Sequence, residues 1–172
     1  QVKLLDFGIA KLLEDADTAA PPTALTQLAG RAFTPEFAAP EQVQGGDVTA
    51  ATDVYALGVL MYLLLAGTHP TAKATDTPVD RLRSVVETEP PRLSAAAPAR
   101  VMPALRGDLD NIAAKALKKA PVERYASAAA FAEDLRRYLA DEPVSARADS
   151  WRYRSAKFVR RHRVGVAATA LT

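Results

Sequence analysis

Between positions 49 and 67 the residues Val54, Leu57, Val59, Leu60, Met61, Leu63, Leu64 and Leu65 surround almost the whole circumference of any helix drawn through them. A helix that is apolar all round has no face to give to water, so it must lie buried on most sides, at the centre of an all-helical lobe. Thr49 suits its N-cap, Asp53 places a negative charge in the first turn, and Gly67 followed by Pro70 ends it. A charge entering so apolar a helix needs partners.

The neighbouring segments read as helices that cover this one. Residues 108–119 place Leu109, Ile112, Ala113, Ala116 and Leu117 on one face, with Lys118 and Lys119 at the basic end. Ser127 caps a further helix whose face is Phe131, Leu135, Tyr138 and Leu139. Residues 79–86 fit a short amphipathic helix, and the Pro-rich stretch 90–103 reads as an extended connection. The fold class expected is mainly α. With 49% hydrophobic residues in 172, the chain can bury one core.

Composition narrows the chemistry. There is no Cys, which excludes disulfides and thiolate metal sites. His69 and His162 lack metal-ligand spacing and are expected to be solvated. The net charge of +2 conceals an asymmetry: residues 147–163 hold seven Lys or Arg and one Asp, a net of +6, which leaves −4 for the rest. Trp151, Tyr153 and Phe158 are interleaved with those cations, a pattern that suits an anionic membrane surface or nucleic acid.

Near the start, the apolar run Val2, Leu4, Leu5 reads as a short buried strand delivering Asp6, Phe7 and Gly8 to a site. Residues 10–30 are rich in Ala, Thr and Pro without apolar periodicity, as in a surface loop. Then come Phe33-Thr34-Pro35-Glu36-Phe37-Ala38-Ala39-Pro40-Glu41-Gln42 and, much later, Leu117-Lys118-Lys119-Ala120-Pro121-Val122-Glu123-Arg124-Tyr125. In this order and spacing the motifs resemble the C-lobe of a bacterial serine/threonine protein kinase of the eukaryotic-like family, from the start of the activation segment onward.

The resemblance implies a role for each matching position. Asp6 would hold Mg²⁺ against the phosphates of ATP, with Phe7 and Gly8 completing that cofactor-binding turn. Thr18, Thr23 and Thr26 are candidate regulatory phosphosites in the loop. Thr34, seven positions before Glu41, marks Ser/Thr specificity and would orient the catalytic loop. Residues 33–42 would form the platform that receives the substrate residue next to the phosphoacceptor, and within it Phe37 stands where the family more often has Tyr. Glu41 would pair with Arg124, and Asp53 would anchor the catalytic loop from beneath.

The Gly-rich loop, the strand Lys and the catalytic Asp with its Asn cannot be located, and the chain opens on Gln1. It is therefore expected to be the C-terminal part of a longer kinase, lacking the N-terminal β-lobe and inactive alone. The expected organisation is a C-lobe at 1–140 (activation segment 6–41, helical subdomain 42–140), a basic juxtamembrane segment at 141–163, and the start of a truncated transmembrane helix at 164–172. Those nine uncharged residues fall short of the roughly 20 needed to span a bilayer. Arg160, Arg161 and Arg163 before them favour the cytoplasmic side of a bacterial inner membrane. Expected partners are protein substrates, the membrane, the missing N-lobe and a second copy of the chain, with nucleic acid disfavoured. The alternatives are a pseudokinase scaffold and a membrane-associated binding module.

Overall fold

Residues 35–73 and 75–147, with positions 151, 153, 155 and 157 of a following helical stretch, are described by a computed structural model of the chain. The expected strand at Val2, Leu4 and Leu5 lies outside the described residues, as do Asp6, Phe7, Gly8, Thr18, Thr23, Thr26, Thr34, His162 and the expected span 164–172.

Among the described residues there are helices and no strands. A 3₁₀ turn at Pro35–Phe37 leads into α1 (Pro40–Gln44), which Gly45 ends in the left-handed conformation at φ 77°. The long helix α2 follows (Ala50–Ala66), then α3 (Pro78–Glu87), the short α4 (Leu93–Ala96) and α5 (Met102–Leu105), α6 (Asp108–Ala116), a 3₁₀ turn at Pro121–Glu123, and α7 (Ala128–Leu139).

α2 is the axis of the lobe, and its ends are set by local chemistry. The Thr49 hydroxyl accepts from the Ala51 amide at 3.3 Å, while the Thr52 hydroxyl accepts from the Thr49 amide at 3.0 Å. Gly67, at φ 76°, closes the other end by donating to the Leu63 carbonyl at 2.9 Å. Val54, Tyr55, Val59 and Tyr62 are buried against Ile112, Ala116 and Leu117 of the α6 region and Tyr125 and Phe131 near α7. Gly58 allows the close approach: a Cβ there would stand 2.9 Å from the Ala116 Cβ.

Burial on α2 is less complete than its composition suggests. Leu64 is 75% exposed, and Asp53 is exposed on the same side, with Leu57 and Leu60 between them half-buried. Spacings of three and four put 53, 57, 60 and 64 on one stripe. No helix among the described residues is long and apolar enough to cross a membrane.

Three further expectations are corrected. The 90–103 stretch is not extended throughout, because α4 and α5 fold within it. They are held by Asp110, which accepts from the Ser94 amide at 2.8 Å, the Ser94 hydroxyl at 2.9 Å and the Gly107 amide at 3.2 Å. α6 ends at Ala116 rather than 119, so Lys119 leaves its own helix and donates to the Val85 carbonyl in the last turn of α3 at 2.6 Å. Leu139 is 80% exposed and does not share the buried face of α7.

After α7 the chain reverses. Asp141 takes φ 56°, a left-handed conformation that Asp tolerates, and the Glu142 amide donates back to the Arg137 carbonyl at 2.8 Å. The returning segment is tied to Asp134, a carboxylate only 1% exposed. It accepts from the Ser145 amide at 2.7 Å, the Ser145 hydroxyl at 2.8 Å, the Ala146 amide at 2.9 Å and the Tyr125 hydroxyl at 2.9 Å. Burial pushes the Asp134 carboxyl up, but those bonds, led by Ser145, outweigh it and hold it below 3.8.

The first part of the basic segment also meets the lobe. Tyr153 and Lys157 are buried, whereas Trp151 is exposed. Lys157 Nζ lies 2.8 Å from the Asp108 carboxylate, and the Tyr153 hydroxyl accepts from the Val144 amide at 3.0 Å.

Candidate functional site

The described part of the platform motif, residues 35–42, is a tight turn followed by a buried run. Ala38 and Ala39 are 2% and 0% exposed, and Pro40 opens α1, where its missing N–H leaves no orphan donor. The Gln42 side chain accepts from the Ala39 amide at 2.9 Å, so the entry to α1 is rigid. Glu41, one position into that helix, points inward and is 8% exposed.

Arg124 meets it from the far end of the sequence. Its Nη1 and Nη2 donate to Glu41 Oε1 and Oε2, both at 2.7 Å, across 83 positions. The remaining donors go to carbonyls: Nη1 to Ala51 at 2.9 Å, Nη2 to Lys119 at 2.9 Å and Nε to Lys118 at 2.7 Å. All five guanidinium N–H groups are thereby used, in a side chain that is 0% exposed. Beneath it lies the Tyr55 ring, 4.9 Å from the guanidinium carbon.

The five bonds join three parts of the lobe. Glu41 belongs to the end of the platform, Ala51 to the first turn of α2, and Lys118 and Lys119 to the chain leaving α6. The Thr52 hydroxyl adds a bond to Glu41 Oε1 at 2.9 Å, so the α2 cap and the ion pair share one side chain. Burial by itself would raise the Glu41 carboxyl. Hydrogen bonds from Arg124, the local backbone and Thr52, with the nearby positive charge, outweigh it and hold the carboxyl below its ordinary 4.5. Burial pushes the Tyr55 phenol up to about 12, and its hydroxyl has no partner among the described residues.

Beside the turn at Pro35–Phe37 lies a cavity of about 600 Å³ walled by Glu36, His69, Lys73, Arg81, Leu63 and Val85, among others. The expectation that His69 is solvated fails here. It is half-buried, and both ring nitrogens are bonded: Nε2 to the Glu36 carbonyl at 2.9 Å, Nδ1 to the Ala72 amide at 2.9 Å and the Thr71 amide at 3.2 Å. Its burial pushes the imidazole below 6.5.

Asp53 is exposed and makes no hydrogen bond among the described residues, at one end of an α2 stripe whose Leu57 and Leu60 are half-buried and whose Leu64 is exposed. No three His, Asp or Glu side chains converge among the described residues to hold a metal ion. Asp6, the metal ligand implied by the resemblance, lies outside them.

The protein kinase domain family matches residues 1–135. This chain belongs to the protein kinase family. Serine/threonine-protein kinase Pkn1 of Myxococcus xanthus is 42% identical over 150 residues, covering 85% of this chain and 19% of that protein. PknB of Mycobacterium leprae is 35% identical over 145 residues (84% of this chain, 21% of that protein), and pkn3 of Myxococcus xanthus 37% over 135 (78% and 23%). The chain thus spans about a fifth of the length of these relatives. The helical lobe is consistent with a kinase C-lobe, and within it the Glu41–Arg124 clasp joins the end of the platform to the two helices behind it.

Several residues of the site have partners that the sequence does not reveal. Thr52, Tyr55, Tyr125, Asp110 and Asp134 act through contacts with residues distant in sequence, from 9 positions (Tyr125 to Asp134) to 16 (Asp110 to Ser94) and further for Tyr55 under Arg124, which leave no local pattern. Thr52 alone carried a signal, lying three residues after a Thr N-cap.

Proposed function

We propose that this chain is the C-lobe of a serine/threonine protein kinase that transfers the γ-phosphoryl group of ATP to Ser or Thr of protein substrates, and that it is inactive alone. The observation that carries this reading is the Arg124 clasp. A guanidinium with all five donors committed locks the end of the platform to α2 and α6, and phosphoryl transfer depends mostly on such positioning. Burying two ions is a weak source of stability, so the pair is better understood as fixing geometry.

When bound, Mg²⁺ and ATP would supply the transferred group and the charge neutralisation, with Asp6 as the metal ligand and Phe7 and Gly8 beside it. Thr34 would orient the catalytic loop. Thr18, Thr23 and Thr26 remain the candidates for regulatory phosphorylation. The partly exposed stripe Asp53, Leu57, Leu60 and Leu64 fits a face that the catalytic loop and the rest of the kinase cover, with Asp53 binding backbone amides there. Residues 147–163 would bring this lobe to the cytoplasmic face of a bacterial membrane, with 164–172 starting the span. Exposed Trp151 favours that placement, because indole rings partition to membrane interfaces.

Incubating the complete kinase, and separately the 172-residue chain, with labelled ATP, Mg²⁺ and a mixed protein substrate tests this. Label on Ser and Thr from the complete protein alone is the expected result. Nucleotide binding without transfer would make it a pseudokinase scaffold.

A further inference from the structure

His69 sits between two backbone segments, and its partners dictate its protonation state. Nδ1 faces the N–H groups of Ala72 at 2.9 Å and Thr71 at 3.2 Å, with the Thr71 hydroxyl at 3.4 Å, so it must be an unprotonated acceptor. The single ring proton is then on Nε2 and donates to the Glu36 carbonyl at 2.9 Å. A neutral imidazole of one tautomer therefore ties the turn at Pro35–Phe37 to the segment leaving α2.

We propose that His69 is a positioning residue for the protein substrate, holding the acceptor-side turn only while its imidazole is neutral and releasing that turn on protonation. This rests on the kinase reading above, in which residues 33–42 receive the substrate residue beside the phosphoacceptor. A proton on Nδ1 would set a third N–H against those of Thr71 and Ala72. The ring must then rotate, and the Nε2 bond to Glu36 goes with it.

The charges around the ring act in the same sense. Arg81 from α3 and Lys119 from beyond α6 disfavour an imidazolium, and Lys73 lines the same cavity. The Glu36 carboxylate favours it, but that carboxylate lies 3.7 Å from Arg81, which partly neutralises it. Asp76 is occupied by the Lys73 amide at 2.6 Å. With burial pushing the imidazole below 6.5, the turn is held at neutral pH and let go on the acid side.

The test measures peptide phosphorylation by the complete kinase at saturating ATP between about pH 5 and about pH 8, reading KM for the peptide, KM for ATP and kcat separately. Wild type should show KM for the peptide rising as pH falls, with KM for ATP unaffected. His69→Asn keeps an acceptor near Nδ1 but loses the donor, and should raise peptide KM about tenfold at neutral pH. His69→Gln restores a donor that does not titrate, and should bring KM back to within about threefold while removing its acid-side rise. Unchanged peptide KM in His69→Asn, or an acid-side rise that persists in His69→Gln, overturns the proposal.

Nitrogen-15 chemical shifts of the His69 ring give a readout independent of folding losses in the variants. A proton on Nε2 at neutral pH is expected, and a proton on Nδ1 overturns the proposal. A wild-type kinase that transfers no phosphate at any pH removes the kinase reading and this proposal together. An Nε2 proton in that same protein would show that the failure lies in the kinase reading and not in the ring geometry.

Discussion

Arg124→Lys separates charge from geometry at the clasp. Lysine preserves the positive charge but carries three donors on one atom, whereas Arg124 serves five acceptors: Lys118 O, Lys119 O, Ala51 O and the two oxygens of Glu41. At least two of these five bonds would be lost in a site where the arginine side chain is 0% exposed. Losing a buried hydrogen bond to a charged group costs about 1.5–3 kcal/mol, partly offset at Glu41 Oε1 by the Thr52 hydroxyl, so the substitution should destabilise by about 2–4 kcal/mol. Against a total of about 5–15 kcal/mol for a domain, that is a large fraction. With a urea m-value of about 2 kcal/mol/M, the unfolding midpoint should fall by about 1–2 M at unchanged m. Far-UV circular dichroism during urea titration reads this directly. A midpoint shift below about 0.3 M would refute the reasoning, because it would mean that a point charge suffices where a planar fork has been invoked.

Four other outcomes follow from the same contacts. Glu41→Gln should flatten the acid limb of stability: the wild-type carboxyl lies below 4.5, so its contribution is complete above that pH and disappears as pH falls through the lowered folded value, whereas Gln has nothing to titrate. Urea midpoints measured across the acid range check it. Gly58→Ala should cost about 1–3 kcal/mol despite the better helix propensity of Ala, because the new Cβ meets Ala116 at 2.9 Å; adding Ala116→Gly should recover part of the loss in the same titration. Tyr55→Phe should fall within about 0.5 kcal/mol of wild type or above it, since its hydroxyl has no partner among the described residues, while Tyr125→Phe loses the bond to Asp134 and should cost about 1–2 kcal/mol. Asp134→Asn cannot accept all four of the bonds now made, and should free residues 144–147, seen as faster tryptic cleavage at Arg147.

What could be seen from the sequence was mostly what repeats at helical spacing or sits in a motif. α2 announced itself through its apolar circumference, its Thr49 cap and its terminal Gly67; α7 through Ser127 and Phe131. Glu41 and Arg124 were reachable only because each lies in a motif whose partner is recognisable, since nothing local links positions 83 apart. The short helices α4 and α5 escaped because Pro90, Pro91 and Pro98 dominate the composition there, while a tertiary contact from Asp110 to Ser94 organises the chain. His69 looked like a solvated residue beside a proline, and became a bonded one because the Pro35–Phe37 turn folds back over it. Tyr153 and Lys157 read as part of a uniform basic stretch, yet Asp108 draws Lys157 into the lobe at 2.8 Å and meets Arg147 at 3.5 Å, pairings that only the three-dimensional position of that carboxylate reveals. Leu64 and Leu139, apolar and exposed, show the converse limit: periodicity identifies a face without saying whether anything covers it.

The central claim is that this lobe belongs to a catalytically competent kinase, and reading the coding sequence upstream of Gln1 tests it most directly. The account predicts a His-Arg-Asp loop with its Asn within about two dozen residues before Asp6, and a strand Lys further upstream. A continuous frame in which that Asp or Lys is replaced would contradict it, leaving a lobe whose clasp holds a platform that no chemistry uses.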